Sequence, residues 1–484
     1  REHSDVDFCL RVRELGYSCV YTPHAELTHV GHVSMGPVEA AGKVHGRHKH
    51  DVFIMKRFSR FLNDDPYFPQ PMRDILYTDS PEDFTYFPRR ERALAAGEHG
   101  VLSATRPSLR YEQGPALDIL IISHDLSESG APRAVFDMAL TLRNAGHFVV
   151  VASGSDGAYR ERLRDIGVDV IIDELLFNKD RSVFDFARNF DKIICNTIVC
   201  WPVVAQLRNV TELYWYVHES NLILDYVEKV PEFAPLLKSG STVWADSRLA
   251  ARLLVRYGAE PHTIEYGIAD HSACRSVSRD HAGKIIVGVF GSYEPRKGQD
   301  LAVEGVRSLP QALRDRVELR LFGRTLFDWF RDDLDQIAGS DRSIVFCGEV
   351  DHDECLRQMA ASDIILVPSR DDALSFVALD ALSLGKALVC SKTVGASEYL
   401  QDGRSALILD ENTPEEIGRA LGRAIEDPDL RATLGRGARE VYERIFSMPI
   451  FTEKLLAALG LDPSSPPNSR AAGTGMEQVQ VASG

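Results

Sequence analysis

The sequence predicts an α/β protein with two successive Rossmann-like domains. Three observations predict it. From residue 117 onward, short apolar strands alternate with amphipathic helices, the pattern of a parallel sheet covered on both faces. That alternation halts in a polar stretch at about 270–283 and then restarts on a second apolar strand. The 484 residues also exceed what a single hydrophobic core organises.

Taken in order, residues 5–15 (DVDFCLRVREL) set Phe8, Leu10, Val12 and Leu15 near helical spacing, with Gly16 closing the helix. SCVYTP reads as a strand ending at Pro23, and residues 38–63 are again helical in pattern. From 64 to 113, Pro, aromatic and charged residues alternate without periodicity. LDILIIS at 117–123 is a buried strand, and PRAVFDMALTLRNAG is a helix with Val135, Met138, Ala139 and Leu142 on one face. Pro132 suits its first turn and Gly146 its end. HFVVVAS, VDVIID, KIICNT, ELYWYVH and STVWADS continue the first sheet. KIIVGVFG, ELRLFG, SIVFCG, DIILVPS, ALVCS and ALILD supply the second. The expected units are a first piece over 1–90, a linker over 91–114, Rossmann-like domains over 115–278 and 279–460, and a tail over 461–484. That tail is too poor in apolar residues to pack and is expected to be disordered.

Composition excludes some functions. A net charge of −16 argues against general nucleic-acid binding and against a polybasic membrane anchor, though not against a local basic pocket. The eight cysteines form no C-x-x-C pair and sit mostly in apolar runs, as reduced thiols do. No run of about 18 apolar residues and no signal peptide is visible. A cytoplasmic protein is expected, with peripheral contact at a membrane left open. The first residue is Arg1 and Val6 already lies in a helical pattern, so the expectation is a piece that begins within a domain.

In doubly wound sheets, ligands sit beyond the C-terminal ends of the strands. Three such loops stand out in the second domain. GSYEPRKGQD puts Arg296 and Lys297 just before Gly298 and a helix starting near Gln299, a natural diphosphate site. In VPSRDDALSFVALDALSLGKALV, Ser375 caps a helix running from about Phe376 to Leu384 that is apolar apart from Asp380. A buried carboxylate there needs a partner, and a hydroxyl-rich ligand is one candidate. In SKTVGASEYLQDGRSALIL, Gly395 allows a close backbone approach and Glu398 follows it. In the first domain, SHDLSESGAPRAV is not G-x-G-x-x-G, which disfavours a dinucleotide dehydrogenase.

These runs, over about 117–460, resemble the retaining group 1 (family 4) glycosyltransferases of GT-B architecture. The resemblance implies donor binding by a carboxylate pair seven residues apart, falling on Asp372 and Asp380. Asp372 would lie near the donor sugar and diphosphate, Asp380 near the ribose hydroxyls. Both are aspartates where the family has glutamates. Lys297 matches the phosphate-binding lysine, assisted by Arg296, and Ser292 stands where an arginine is common. Gly130 and Ala131 match a Gly-Gly-type turn facing the cleft, and His218 matches a histidine lining it. Asp372, His218 and Lys297 are thus the expected catalytic residues, with Gly395 and Glu398 at the donor site. HSDVDFCLRVRELGYSCVYTPHAELTH resembles the closing end of a family 2 (GT-A type) glycosyltransferase domain. Asp5 falls on its catalytic base and His29 near its donor site; without the rest of the domain, residues 1–90 are expected to be inactive.

The expected activity is sugar transfer, with retention, from a nucleotide-diphosphate sugar to a hydroxyl of a growing or lipid-linked glycan in surface polysaccharide assembly. The resemblance implies no metal or cofactor. A zinc site among His24, His29, His32, His45, His48 and His50 lacks supporting ligand spacing. A catalytically degenerate nucleotide- or glycan-binding scaffold and a nucleotide-sugar epimerase of the same fold remain alternatives.

Overall fold

The computed structural model describes residues 4–15 and 17, the pairs 43–44 and 47–48, and 117–461 apart from 173–175, 178–186, 188–189, 210–211, 239 and 275–282. Near the N-terminus these comprise the helix Ser4–Glu14 and an antiparallel ribbon of Lys43–Val44 with Arg47–His48. Asp5 lies in the first turn of that helix. His29, and with it most of the expected family 2 segment and the 462–484 tail, falls outside the described residues.

The first large sheet contains β1 (Asp118–Ser123), β2 (Phe148–Ser153), β3 (Asp169–Ile172), β4 (Lys192–Asn196), β5 (Glu212–Val217), β6 (Thr242–Ala245) and β7 (His262–Thr263). All pairings are parallel and the order is β3-β2-β1-β4-β5-β6-β7. The second contains β8 (Ile285–Phe290), β9 (Val317–Phe322), β10 (Ile344–Gly348), β11 (Ile364–Val367), β12 (Ala387–Ser391) and β13 (Leu407–Leu409), in the parallel order β10-β9-β8-β11-β12-β13. Strand order therefore reverses between β1 and β4 and again between β8 and β11. Those are the two crevices where a doubly wound sheet accepts ligands. Strands with both faces covered need apolar interiors, and β1, β4 and β11 are buried at every position, with polar residues only at the ends of β1 and β4.

Helix α1 (Gly130–Asn144) follows β1 and buries Val135, Met138, Ala139 and Leu142, the face predicted from spacing. Further helices used below are α2 (Arg248–Arg256), α3 (Gln299–Arg307), α4 (His352–Ala361), α5 (Phe376–Ser383), α6 (Pro428–Val441) and α7 (Met448–Ala458). Ser375 caps α5 by accepting from Ala378 N at 3.5 Å.

The two sheets share one continuous core, in which Ile119, Val135 and Met138 cluster with Leu379, Leu382, Phe446 and Phe451. The last helix helps make it continuous. Ile268 bridges to Ser447, and α7 then runs back onto α1, with the Phe451 ring 5.2 Å from that of Tyr266. The C-terminal segment thus belongs by sequence to the second domain and by packing partly to the first.

Candidate active site

The C-terminal ends of both sheets open onto one cleft of about 940 Å³ between the domains. From the first domain it is lined by the β1–α1 turn (Ser129, Gly130, Ala131), the β5 exit (His218, Glu219, Ser220) and Asp246 beyond β6. From the second come the β8 exit (Gly291, Ser292, Arg296, Lys297), the β9 exit (Gly323, Arg324), Glu349 beyond β10, and the β11–α5 loop (Asp371, Asp372, Ser375).

Lys297 ends a short turn, Pro295–Lys297, that leads through Gly298 into α3. Gly298 has φ +71, and a Cβ there would stand 2.1 Å from the Pro368 carbonyl oxygen, so only glycine allows this loop to meet the β11 exit. The contact delivers Lys297 Nζ to Asp372 Oδ2 at 2.6 Å. Burial alone would raise the Asp372 carboxyl, but Lys297 and Arg296 outweigh it and hold the group below the usual carboxylate range. Gly395 acts on the other side of the same loop. Its N donates to Asp372 O at 2.9 Å, and a Cβ there would lie 1.6 Å from the Ala373 carbonyl oxygen. The close approach expected at Gly395 is therefore to this chain's own backbone, behind Asp372, and Gly395 does not line the cleft.

Arg296 lies beside Lys297 but is already engaged. Its guanidinium donates to Glu294 Oε1 at 3.0 Å and to the Asp371 carbonyl at 3.1 Å. Glu398, expected at the donor site, pairs with Arg252 of α2, one bond being 2.6 Å, and lies outside the cleft lining. Its 3-10 turn, Gly395–Tyr399, packs on α2, so it braces the two domains at the back of the cleft.

Asp380 is buried, as the apolar helix required, and its partner is a side chain. Arg133 of α1 donates to both oxygens at 3.2 Å, and His271 Nε2 stands 3.4 Å from Oδ1. The sequence reading offered a hydroxyl-rich ligand for this carboxylate; in the structure an arginine and a histidine occupy that role. Burial raises the Asp380 carboxyl, but Arg133 and His271 more than offset it and hold the group far below its usual range. The Arg133 guanidinium also lies 4.7 Å over the Phe376 ring and 4.0 Å from Asp137. Asp137, the less favoured carboxylate on the same cation, is pushed up by burial. Gly130 and Ala131 do face the cleft, where a Cβ at Gly130 would come within 3.0 Å of the Phe376 ring.

His218, at the end of β5, opposes the second-domain loops. Its Nε2 lies 2.6 Å from Asn196 Oδ1 and its Nδ1 3.8 Å from Asp246 Oδ2. Asn196, fully buried at the end of β4, donates from Nδ2 to the Ala131 carbonyl at 3.1 Å. That bond leaves Oδ1 as the acceptor, so Nε2 carries the proton and Nδ1 faces Asp246. Burial raises the Asp246 carboxyl, opposed by His218 and Ser247. Glu219 accepts from the backbone N–H groups of Ile198 and His218 at 3.2 and 2.9 Å, and burial nonetheless pushes it up to about 7. Across the cleft Ser220 Oγ donates to Asp371 Oδ1 at 2.6 Å.

The structure thus gathers Asp372, Lys297, Arg296, His218, Gly130, Ala131 and Asp380 around one space, together with Glu219, Asp246, Arg133 and Asp371, which sequence reasoning did not select, as it did not select Asn196 behind His218. Asp371 carried a signal, being adjacent to Asp372; Asn196 and Asp246 end ordinary buried strands and carried none. Among the described residues no group of three His, Cys, Asp or Glu side chains is arranged to hold a metal ion, and no helix is long and apolar enough to cross a membrane.

A family model described as glycosyl-transferase family 4 matches residues 116–268, and one described as glycosyl transferases group 1 matches residues 274–441. An uncharacterized glycosyltransferase of Methanocaldococcus jannaschii is 29% identical over 179 residues, covering 36% of this chain and 44% of that protein. A D-inositol 3-phosphate glycosyltransferase of Nocardioides sp. is 25% identical over 244 residues, covering 46% and 52%. The chain spans about half the length of the curated relatives it matches. Among solved structures, Anabaena Alr3699/HepE in complex with UDP and glucose superposes with a TM-score of 0.62 at 20% identity, covering 71% of this chain and 99% of that one. At that identity the likeness is one of fold, the GT-B arrangement of two facing Rossmann-like domains.

Proposed function

From the premise that residues 116–441 belong to the group 1, family 4 glycosyl transferases, we propose that this chain moves a sugar, with retention, from a nucleotide-diphosphate donor to a hydroxyl of a growing glycan. The observation that carries the reading is the Lys297–Asp372 pair at 2.6 Å, set where strand order reverses between β8 and β11 and facing His218 across the cleft. Lys297 is placed to meet the charge that develops on the leaving diphosphate, and Arg296 lies beside it. Asp372, released from Lys297 as the phosphate binds, is placed to hold the donor sugar. The Asn196–His218–Asp246 chain fixes the imidazole orientation on the opposite wall. The UDP and glucose in the Anabaena structure make UDP-sugars the first donors to test.

The test is Lys297→Ala, assayed for sugar transfer and donor hydrolysis across UDP-, GDP- and dTDP-sugars. The expected outcome is loss of turnover by at least about 100-fold, in line with removing a charged group from a developing anion. Near-normal turnover removes the phosphate role. A second reading, a domain that binds nucleotide without transferring sugar, draws support from Asp380, whose two oxygens are already committed to Arg133. Nucleotide binding with neither transfer nor hydrolysis would favour it. For residues 1–90, the resemblance to the end of a family 2 domain stays a proposal resting on residues 3–29; sugar transfer by residues 1–110 alone would contradict their expected inactivity.

A further inference from the structure

The cleft lining carries more negative than positive side chains: eight carboxylates against five lysines and arginines. An anionic ligand therefore has to find positive charge that is not already neutralised. Four of the five cations are committed. Arg133 pairs with Asp380 and Arg162 with Glu128 at 2.9 Å, while Arg296 pairs with Glu294 and Lys297 with Asp372. Each must break or share an ion pair before it can meet a phosphate, and that exchange reduces its net gain. Arg324 is the exception. Among the described residues it has no ion pair and no side-chain hydrogen bond, and it is exposed on the cleft wall.

Its backbone is nonetheless held firmly. Arg324 O accepts from Tyr293 N at 2.8 Å, Tyr293 bridges to Thr325, and Gly323 N donates to Gly348 O at 2.8 Å. Gly323 sits so close to the β8 exit that a Cβ would lie 1.9 Å from the Gly291 carbonyl oxygen. The β9 exit is thus fastened between the exits of β8 and β10. Its cation stands on the wall that continues from Ser292 and Lys297, and is free to swing toward a ligand. Ser292 brings no charge of its own.

We infer that Arg324 is a donor-binding residue, contributing the cleft's uncommitted guanidinium to the phosphates of a nucleoside diphosphate. This rests on the nucleotide-sugar reading of the same cleft. No carboxylate has to be released first, so Arg324 meets the incoming anion before Lys297 exchanges Asp372 for phosphate. Being exposed and unpaired, it contributes little to the fold, and its replacement leaves the stability of the chain unchanged.

The experiment is calorimetric titration of the full chain and of Arg324→Ala and Arg324→Lys with UDP, GDP, ADP and dTDP. The nucleotide that binds wild type best is then compared with its parent nucleoside. The expected result is a diphosphate affinity about 10- to 100-fold weaker in Arg324→Ala, the range for a hydrogen bond between charged groups. Nucleoside affinity stays the same and Arg324→Lys recovers part of the loss. Undiminished diphosphate binding by Arg324→Ala overturns the assignment. An equal loss for diphosphate and nucleoside also overturns it, because the guanidinium would then be stacking on the base. If wild type binds none of the four, the nucleotide-sugar reading itself fails and takes this assignment with it.

Discussion

Breaking the Arg133–Asp380 pair tests how the two domains are held together. The side chains are 13% and 6% exposed, and the guanidinium meets both carboxylate oxygens at 3.2 Å. Removing one partner of such a buried pair leaves an uncompensated charge and typically costs about 3–5 kcal/mol. Each partner here has a weaker substitute, His271 at 3.4 Å for Asp380 and Asp137 at 4.0 Å for Arg133. We therefore expect Arg133→Met and Asp380→Leu each to lose about 3 kcal/mol, at the lower end of that range. The double variant places two apolar side chains beside Phe376 and should lose far less than the sum, with a coupling of about 2 kcal/mol or more. Urea unfolding at pH 7.5 reads this through the fully buried Trp215 and Trp244. In wild type the Asp380 carboxyl is held below its unfolded value of about 3.9, so its stabilisation is complete above that pH and drains away as pH falls through the folded value. Additive single losses below about 1 kcal/mol each would refute the reasoning, because the pair would then behave as an exposed one.

Asn196→Ala removes both the acceptor for His218 and the tie to the Ala131 carbonyl; kcat should fall about 100-fold with donor KM little changed, as for a misplaced catalytic group. A fall in donor affinity alone would place Asn196 outside the chemistry. Gly395→Ala drives a Cβ into the Ala373 carbonyl, and calorimetry should show a loss of about 1–3 kcal/mol together with weaker transfer, since Asp372 hangs from the same loop. Glu219 has its folded value raised to about 7 against an unfolded value near 4.3, so the folded state holds the extra proton and stability falls as pH rises between those values. Glu219→Gln should flatten that slope, its melting temperature gaining on wild type from pH 5 to pH 8; parallel curves would show that Glu219 is already ionised at pH 5.

Much of the fold was legible because strand burial is written into composition. The interiors of β1 and β4 and the whole of β11 are apolar, as the middle of a buried parallel strand must be. The Ser375 cap, the α5 boundaries and the start of α3 at Gln299 follow from equally local chemistry. The loop holding Lys297 stood out because doubly wound sheets present ligands at strand C-termini, whereas Asp372 and His218 were singled out by the family resemblance.

The rest depended on which parts of the chain meet. Asp380 announced that it needed a partner, since an apolar helix cannot bury a lone carboxylate. That the partner is Arg133, 247 residues earlier, was decided by the docking of α1 against α5. Gly395 and Glu398 look alike in sequence to ligand-binding loop residues. Packing turns one toward the Ala373 backbone and the other toward Arg252. By itself, then, the sequence determined two parallel sheets, their ligand-facing loops and the need for countercharge inside α5. Only the tertiary structure decided which charges cancel each other and which, like Arg324, stay open to a ligand. Burial and periodicity are properties of a local run of residues, whereas an ion pair is a property of two surfaces that the chain brings together only by folding.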